Sequence, residues 1–490
     1  MLDLLIHGGE VIDGSGAPRW RADLGVSDGR IVAMGDLAGT VAFRHLDARG
    51  HIVAPGFIDS HSHDDAVLLQ HPARHPKLEQ GVTTVITGNC GISLAPLIAS
   101  TVPAPLDLLQ DGIGGVGGVG GAGGGFVHAR FANYVQALRT DAPDLNAALL
   151  VGHTTLRVGA MADLDRAADA NETKHMQAAL MEALQAGAIG MSTGVFYPPA
   201  RAATTQELID VGQPLAGGRG IVTMHIRDES DHIINALKEA FAVGRALNAP
   251  LVLSHHKLIG QANHGRSVQT LALVEEAART QSVCLDCYPY TASSTMLLPE
   301  RVASSLDVQI TWSHTDPTAA GRSLRQLAAE RGVDATALAA ALMPAGAIYF
   351  AMSDVDLDRI LTHPLAMIGS DGLAPSGDHG QPHPRLWGTF PRLLGHYARE
   401  RQLLALEAAV HKMTGLTAQR FGLAGRGLLR PGFVADITVF DAATVADRAT
   451  YANPTAAPTG IHSVLLGGKL VVQGGRVQRH GAGALLLRKD

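Results

Sequence analysis

Five places in the chain carry metal-binding side chains at the end of an apolar, strand-like segment. The first is His61-Ser62-His63, where alternate residues of a strand share a face, so both imidazoles can meet one ion. The second is Cys90, flanked by Gly88, Asn89 and Gly91, which permit tight turns. His225, then His255 with His256, and finally Asp371 end three further segments. Each has an ordinary explanation taken singly: a packed histidine, a buried thiol, an aspartate in a turn. Their joint occurrence at five strand ends points to a metal site. Imidazole, thiolate and carboxylate together suit zinc, which lowers the pKa of bound water toward about 7 and polarises a carbonyl.

Such a site needs strands that end side by side. Eight apolar segments, at 51–61, 82–91, 146–153, 188–194, 221–227, 250–257, 283–290 and 365–372, alternate with helix-forming stretches such as HMQAALMEALQAG. Near-continuous apolar strands are expected of a parallel sheet covered on both faces. The fold class is therefore α/β, a (β/α)8 TIM-like barrel, whose catalytic residues belong at the C-terminal strand ends. Short alternating strands punctuated by Gly and Asp open and close the chain. They predict one small β-sandwich domain built from both termini, over 1–54 and 416–490, around a barrel over 55–415. The stretch 291–350 is too long for a simple loop and is expected to form a cap with helical patterns. Residues 112–125, GIGGVGGVGGAGGG, lack the Gly-Lys-Ser/Thr ending of a phosphate loop and read as a flexible glycine-rich loop.

Composition narrows the function classes. Hydrophobic residues make up 46% and the net charge is −6, with no dense Lys/Arg run, which argues against nucleic-acid or anionic-membrane partners. No apolar run reaches the roughly 20 residues of a membrane span, and the N-terminus has no secretory pattern. Three cysteines in 490 residues fit a reducing, cytoplasmic compartment. Composition leaves the oligomeric state open.

The run Pro55-Gly56-Phe57-Ile58-Asp59-Ser60-His61-Ser62-His63 resembles the PGFID-x-H-x-H signature of the amidohydrolase superfamily. Within it, TGNCGIS around Cys90, GMSTGVFYPPA at 190–200, HIRDES at 225–230, SHHK at 254–257 and IGSDG at 368–372 resemble the N-acyl-D-amino-acid deacylases, or D-aminoacylases. The resemblance spans essentially the whole chain. It implies that Cys90, His225 and His255 hold one tight zinc, and that His61, His63 and Asp371 line a weaker second site sharing Cys90. It also implies hydrolysis of an N-acyl-D-amino acid by metal-activated water, with Asp371 as general base and acid. Tyr197, Lys257 and Arg385 stand at the motif positions that hold the substrate carboxylate, a task suited to the planar fork of arginine.

Many superfamily members bridge two metals with a strand-four lysine, but the segment AIGMSTG has none. That departure disfavours the rival reading of a cyclic-amide hydrolase, such as a hydantoinase or dihydropyrimidinase. A non-catalytic scaffold, the other rival, should have lost ligands, and none is missing. The segment TASSTMLLPE carries Met296, Leu297 and Leu298 and no cation before Arg301, so neutral or hydrophobic side chains are expected of the substrate. Cys284 and Cys287 form a C-x-x-C whose members should point to opposite faces of a strand. His71, His75, His128, His153, His256, His363, His379 and His383 show no partner set in the sequence, and His256 should turn away from His255.

Overall fold

The computed structural model describes residues 1–109, 126–373 and 380–488. The glycine-rich segment 112–125 and His379 lie outside the described residues. Eight parallel strands make the central sheet: β1 (Phe57–Asp59), β2 (Val82–Thr87), β3 (Asn146–Gly152), β4 (Gly190–Gly194), β5 (Ile221–His225), β6 (Leu251–Leu253), β7 (Val283–Cys287) and β8 (Ala366–Ile368). They pair in sequence order. The ring closes between β8 and β1 where the Ser60 N–H donates to Ile368 O (3.2 Å), the Asp371 N–H donates to His61 O (2.8 Å) and Ser62 bridges Gly372. The fold is a (β/α)8 barrel with a separate sheet domain.

Both faces of the barrel strands are buried, which is why they read as continuous apolar runs. Ile58, Ile86, Leu150, Val252, Cys284 and Met367 pack inside, over Leu416, Phe421 and Leu423. Outward residues such as Val85, Leu149 and Leu285 join helix faces such as that of Ile233–Leu247. The helices start and stop on local chemistry. Asp169 caps Ala170–Gln185 by accepting from the Asn171 and Glu172 N–H groups, and Glu172 accepts from Asp169 in return. Ile233–Leu247 stops at Asn248, which takes a left-handed φ of 46°. Cys284 lies in the interior layer and Cys287 in the outer one, as the strand period requires.

The flanking domain draws on both ends of the chain. A four-stranded sheet of N-terminal strands faces a seven-stranded sheet in which Ile52–Pro55 pairs with Ile437–Phe440. Leu4, Ile6, Leu24, Val53, Ile437 and Leu465 form the core between them. Beyond these sheets, the end of the chain lies along the barrel, where the Ala147 N–H donates to Ala484 O (3.0 Å) and the Leu486 N–H donates to Ala147 O (2.8 Å).

The sequence segment 51–61, read as one strand, is two. Ile52–Pro55 belongs to the seven-stranded sheet and Phe57–Asp59 to the barrel. The break is at Gly56, whose N–H donates to Asp436 O (2.9 Å) and where a Cβ would stand 2.2 Å from Thr83 Cγ2. The 291–350 stretch carries helices, as its patterns predict, and also a sheet that they do not. Ala292–Met296, Asp307–Ser313 and Ala345–Phe350 form an antiparallel sheet, covered by helices Leu324–Arg331 and Ala335–Leu342 over a core of its own. Ala345–Phe350 is buried almost throughout and Ala292–Met296 is mostly small and polar, so no regular apolar–polar alternation marks these strands in the sequence.

No helix among the described residues is long and apolar enough to cross a membrane. Because Gly56 leaves no room for a side chain, Gly56→Ala is expected to cost about 1–3 kcal/mol through overpacking against Thr83. A lowered thermal unfolding midpoint relative to the parent protein measures it, and an unchanged midpoint would mean the two domains tolerate a looser joint.

Candidate metal centre

The strand ends converge on one buried cluster. Sγ of Cys90, after β2, is 3.2 Å from His61 Nε2 and 3.2 Å from His255 Nε2. His255 Nε2 is 3.0 Å from Nδ1 of His225, the last residue of β5. Asp371 Oδ1 is 3.2 Å from His63 Nε2 and 3.6 Å from His61 Nε2. Donor atoms of His61, Cys90, His255 and Asp371 all lie within 4.8 Å of one another, and so do those of His225, Glu229 and His255. The structure thus brings all six sequence-derived donors together, with His63 joined through Asp371.

Backbone strain aims three of these groups. Cys90, His255 and Asp371 take φ values of 54°, 36° and 49°, in the left-handed region that L-residues avoid. Each such residue costs on the order of 1–3 kcal/mol, and such strain clusters at functional sites. Glycine neighbours supply space: at Gly369 a Cβ would sit 2.5 Å from the His61 Cβ, and at Gly194 one would sit 2.0 Å from the Cys90 carbonyl oxygen.

Electrostatics set the donor states. Burial would raise the Cys90 thiol, but the imidazoles of His61 and His255 outweigh it and hold it well below the ordinary thiol range. Burial likewise works against an ionised Asp371, yet Arg385 and His255 keep its carboxyl well below the carboxylate range. Burial favours a neutral His63, but its bond to Asp371 and its nearness to Cys90 raise it to about 9. The set fits a zinc ion. It offers a buried thiolate, imidazoles and a carboxylate, and His63 Nδ1 and His225 Nε2 are buried with no hydrogen-bond partner.

Several residues that hold the donors carried no clear sequence signal. Asp286, between the two discounted cysteines on β7, accepts the His255 N–H on Oδ1 (2.7 Å), and the same oxygen lies 3.3 Å from His61 Nδ1. Glu229 of HIRDES lies 3.1 Å from His255 Nδ1 and accepts from the Lys257 ammonium (2.5 Å). Carboxylates behind metal-binding imidazoles fix the tautomer and raise ligand basicity. Under the cluster, Asp59 accepts from the His61 N–H (3.1 Å), the Ser370 N–H (2.8 Å) and the fully buried Lys77 ammonium (2.7 Å). The signal available for Asp286 was an acid two residues beyond inward-facing Cys284, hence on the same face.

Two of the three expected substrate contacts, Tyr197 and Lys257, line the cavity beside the cluster, and the third, Arg385, lines the neighbouring pocket that shares Ser294 and Thr295 with it. Tyr197, Lys257, Arg301 and Asp371 line a narrow cavity of about 20 Å³ with Ser293, Ser294 and Thr295. The Tyr197 hydroxyl accepts from Thr295 Oγ1 (3.2 Å). Arg385 Nη1 is 3.0 Å from Asp371 Oδ2, and its guanidinium stacks 4.6 Å from the Tyr288 ring centroid. Met296, Leu297 and Leu298 do not line this cavity, which corrects the reason given for a neutral side-chain pocket. Leu297, just past the strand end at Met296, packs into the core of the 291–350 sheet. Arg301 instead reaches the cavity, stacked 4.6 Å from the Phe196 ring centroid and 3.9 Å from Glu229.

The remaining histidines separate by partner. His256 turns away from the cluster, as expected, and bonds Thr270 Oγ1 (2.9 Å). His153 meets Glu207 (3.2 Å), His363 meets Glu275 (3.1 Å) and His383 meets the Ala292 carbonyl (3.1 Å). His71 meets Asp144 (2.6 Å). Burial lowers His75 to about 4 and also lowers His128.

The family model described as "Amidohydrolase family" matches residues 44–472. A D-aminoacylase from Alcaligenes xylosoxydans xylosoxydans is 53% identical over 486 residues, covering 99% of this chain and 98% of the relative. This chain belongs to the amidohydrolase family, among the D-aminoacylases. A solved D-aminoacylase with a binuclear metal centre, in which one metal activates and a second attenuates, superposes with a TM-score of 0.94 at 52% identity and full coverage of both chains. The N-acyl-D-glutamate deacylase of Bordetella bronchiseptica was solved with zinc and a phosphonate mimic of the tetrahedral intermediate. It matches at TM-score 0.92 and 46% identity, covering 99% of this amidohydrolase and 100% of that chain.

For this amidohydrolase, Asp286→Asn is expected to weaken zinc binding by about 10–100-fold, because His61 and His255 lose the carboxylate that orients them. Competition dialysis against a chelator reads the affinity, and a wild-type affinity would show that Asp286 serves only the strand end.

Proposed function

We propose that the chain hydrolyses the amide bond of N-acyl-D-amino acids to a carboxylate and a free D-amino acid. The observation that carries this reading is the Cys90 thiolate, 3.2 Å from both His61 and His255, in a barrel whose β4, Gly190–Gly194, has no lysine. Cys90, His225 and His255 are assigned to a tight zinc, and His61, His63 and Asp371 to a weaker second position sharing Cys90. When bound, zinc acidifies a water and polarises the substrate carbonyl. Asp371 takes the proton of the attacking water at its carboxylate and returns it to the leaving amine. Arg385 keeps that carboxylate ionised from Oδ2, leaving Oδ1 to face the cluster.

Arg385, Lys257 and Tyr197 are assigned to the substrate carboxylate. The Arg385–Asp371 approach is an ion pair without hydrogen-bond geometry, so Arg385 Nη1 keeps an N–H to donate. Lys257 is already shared with Glu229 and contributes charge more than a free donor. Neutral or hydrophobic side chains remain the proposed preference. Next to the cavity, Thr311, Trp312 and Leu373 provide an uncharged wall. The preference for the D-hand is supported by the relatives. Three buried free thiols support a cytoplasmic location.

Paired N-acetyl-D- and N-acetyl-L-methionine, with zinc measured on the same sample, test the reading. Amine release from the D-form alone is expected, with kcat reduced about 10²–10⁴-fold in Asp371→Ala while zinc is retained. Zinc bound without release from either enantiomer would sink it in favour of a cyclic amide or a scaffold. Arg385→Lys is expected to raise KM more than it lowers kcat, because a point charge cannot replace the planar fork. N-acetyl-D-glutamate should be the poorer substrate in kcat/KM, and a preference for it would transfer the side-chain subsite to Arg301.

A further inference from the structure

At the opposite end of the barrel lies a cavity of about 770 Å³, within the size range of small-molecule sites. Ile189, Ile221, Pro250 and Ser282, at the starts of β4 to β7, form one wall. The helix Gly415–Arg420 and its following turn form another, and the C-terminal segment 485–488 a third. At about 3.3 Å per residue, a five-residue strand puts this cavity roughly 15 Å from the metal centre.

Its lining carries five arginines, Arg30, Arg219, Arg420, Arg426 and Arg488, and no Asp or Glu among the described residues. That is unexpected in a chain with net charge −6. Arg426 is paired with Asp436. Arg30 donates only to a backbone carbonyl, that of Gly432 (2.7 Å). Arg219 and Arg420 meet no carboxylate among the described residues, and Arg420 Nε is buried with no hydrogen-bond partner. Buried guanidinium N–H groups normally find acceptors, and an orphan there marks a place for one. Beside these charges stand Phe421, Leu423 and Leu487, an apolar surface for the body of a ligand.

We infer that this basal cavity binds a multivalent organic anion, with two or more anionic oxygens on an apolar body, through Arg30, Arg219 and Arg420. Three guanidiniums without carboxylate partners match a ligand of charge −2 to −3 better than a monoanion. The ligand cannot compete with substrate, because the two cavities lie at opposite ends of the strands.

Benzene-1,3-disulfonate is the probe of choice for the zinc-loaded enzyme, since sulfonates are poor zinc ligands. Calorimetric titration at constant ionic strength is expected to show one saturable site per chain, at least tenfold tighter than benzenesulfonate. Binding should raise the thermal midpoint as a ligand of the folded state does. Arg219→Ala, on the exposed rim, and Arg420→Met, in the wall, should each weaken it at least tenfold with kcat/KM for N-acetyl-D-methionine unchanged. Absence of saturable binding, undiminished affinity in Arg219→Ala, or competition with substrate would overturn the assignment.

Discussion

A sulfur anion buried away from water is strongly unfavourable unless positive charge meets it, and Cys90 is 2% exposed. The rest of the centre can be traced outward from that constraint. His61 and His255 supply the compensating charge in the metal-free cluster, and a zinc ion supplies it in the loaded one. Those imidazoles are held in turn by Asp286 and Glu229. Glu229 is balanced by Lys257, so charge alternates in sign from the sulfur to the cavity wall. Removing one member would leave the next one buried and unpaired, which costs far more than the pair contributes.

The same constraint explains how the barrel is closed. Between β8 and β1 the sheet must both seal and deliver His61, His63 and Asp371 to one point. Asp59 does this by accepting from Ser370 and Lys77 on one side and from the His61 backbone on the other. Lys77 is fully buried, and the carboxylates of Asp59 and Asp64 keep it charged against the pull of burial. The left-handed φ values of Cys90, His255 and Asp371 are then sustainable, because the surrounding hydrogen bonds overdetermine the strand ends.

The two ends of the barrel carry different chemistry on the same strands. The C-terminal ends hold a compensated cluster closed over by the antiparallel sheet that follows β7. The N-terminal ends open onto arginines with few acids to face them. Strand period separates the two functions. Residues near the middle of each strand, such as Ile58, Leu150 and Val252, fill the interior with apolar volume and insulate one end from the other.

The sequence by itself determined the eight-stranded barrel, the flanking sheets and the donor types, because strand periodicity and His-x-His spacing are local properties. The convergence of Cys90, His225, His255 and Asp371 was legible for the same reason, each standing at the end of an apolar run. Asp286, Glu229 and Lys77 were not, since a single charged residue in a strand or loop reads like any other until its partner is known. The split at Gly56 was hidden because both halves are apolar, and only their different pairing partners, Ile437–Phe440 and Val82–Thr87, distinguish them. Met296 to Leu298 misled because the sheet they end has a core of its own, which takes Leu297, and only the tertiary structure shows which residues face the substrate. The basal arginines, at positions 30, 219, 420, 426 and 488, form no run in the sequence. Only the folding of both termini around the barrel base makes them neighbours, since charge acts through space and not along the chain.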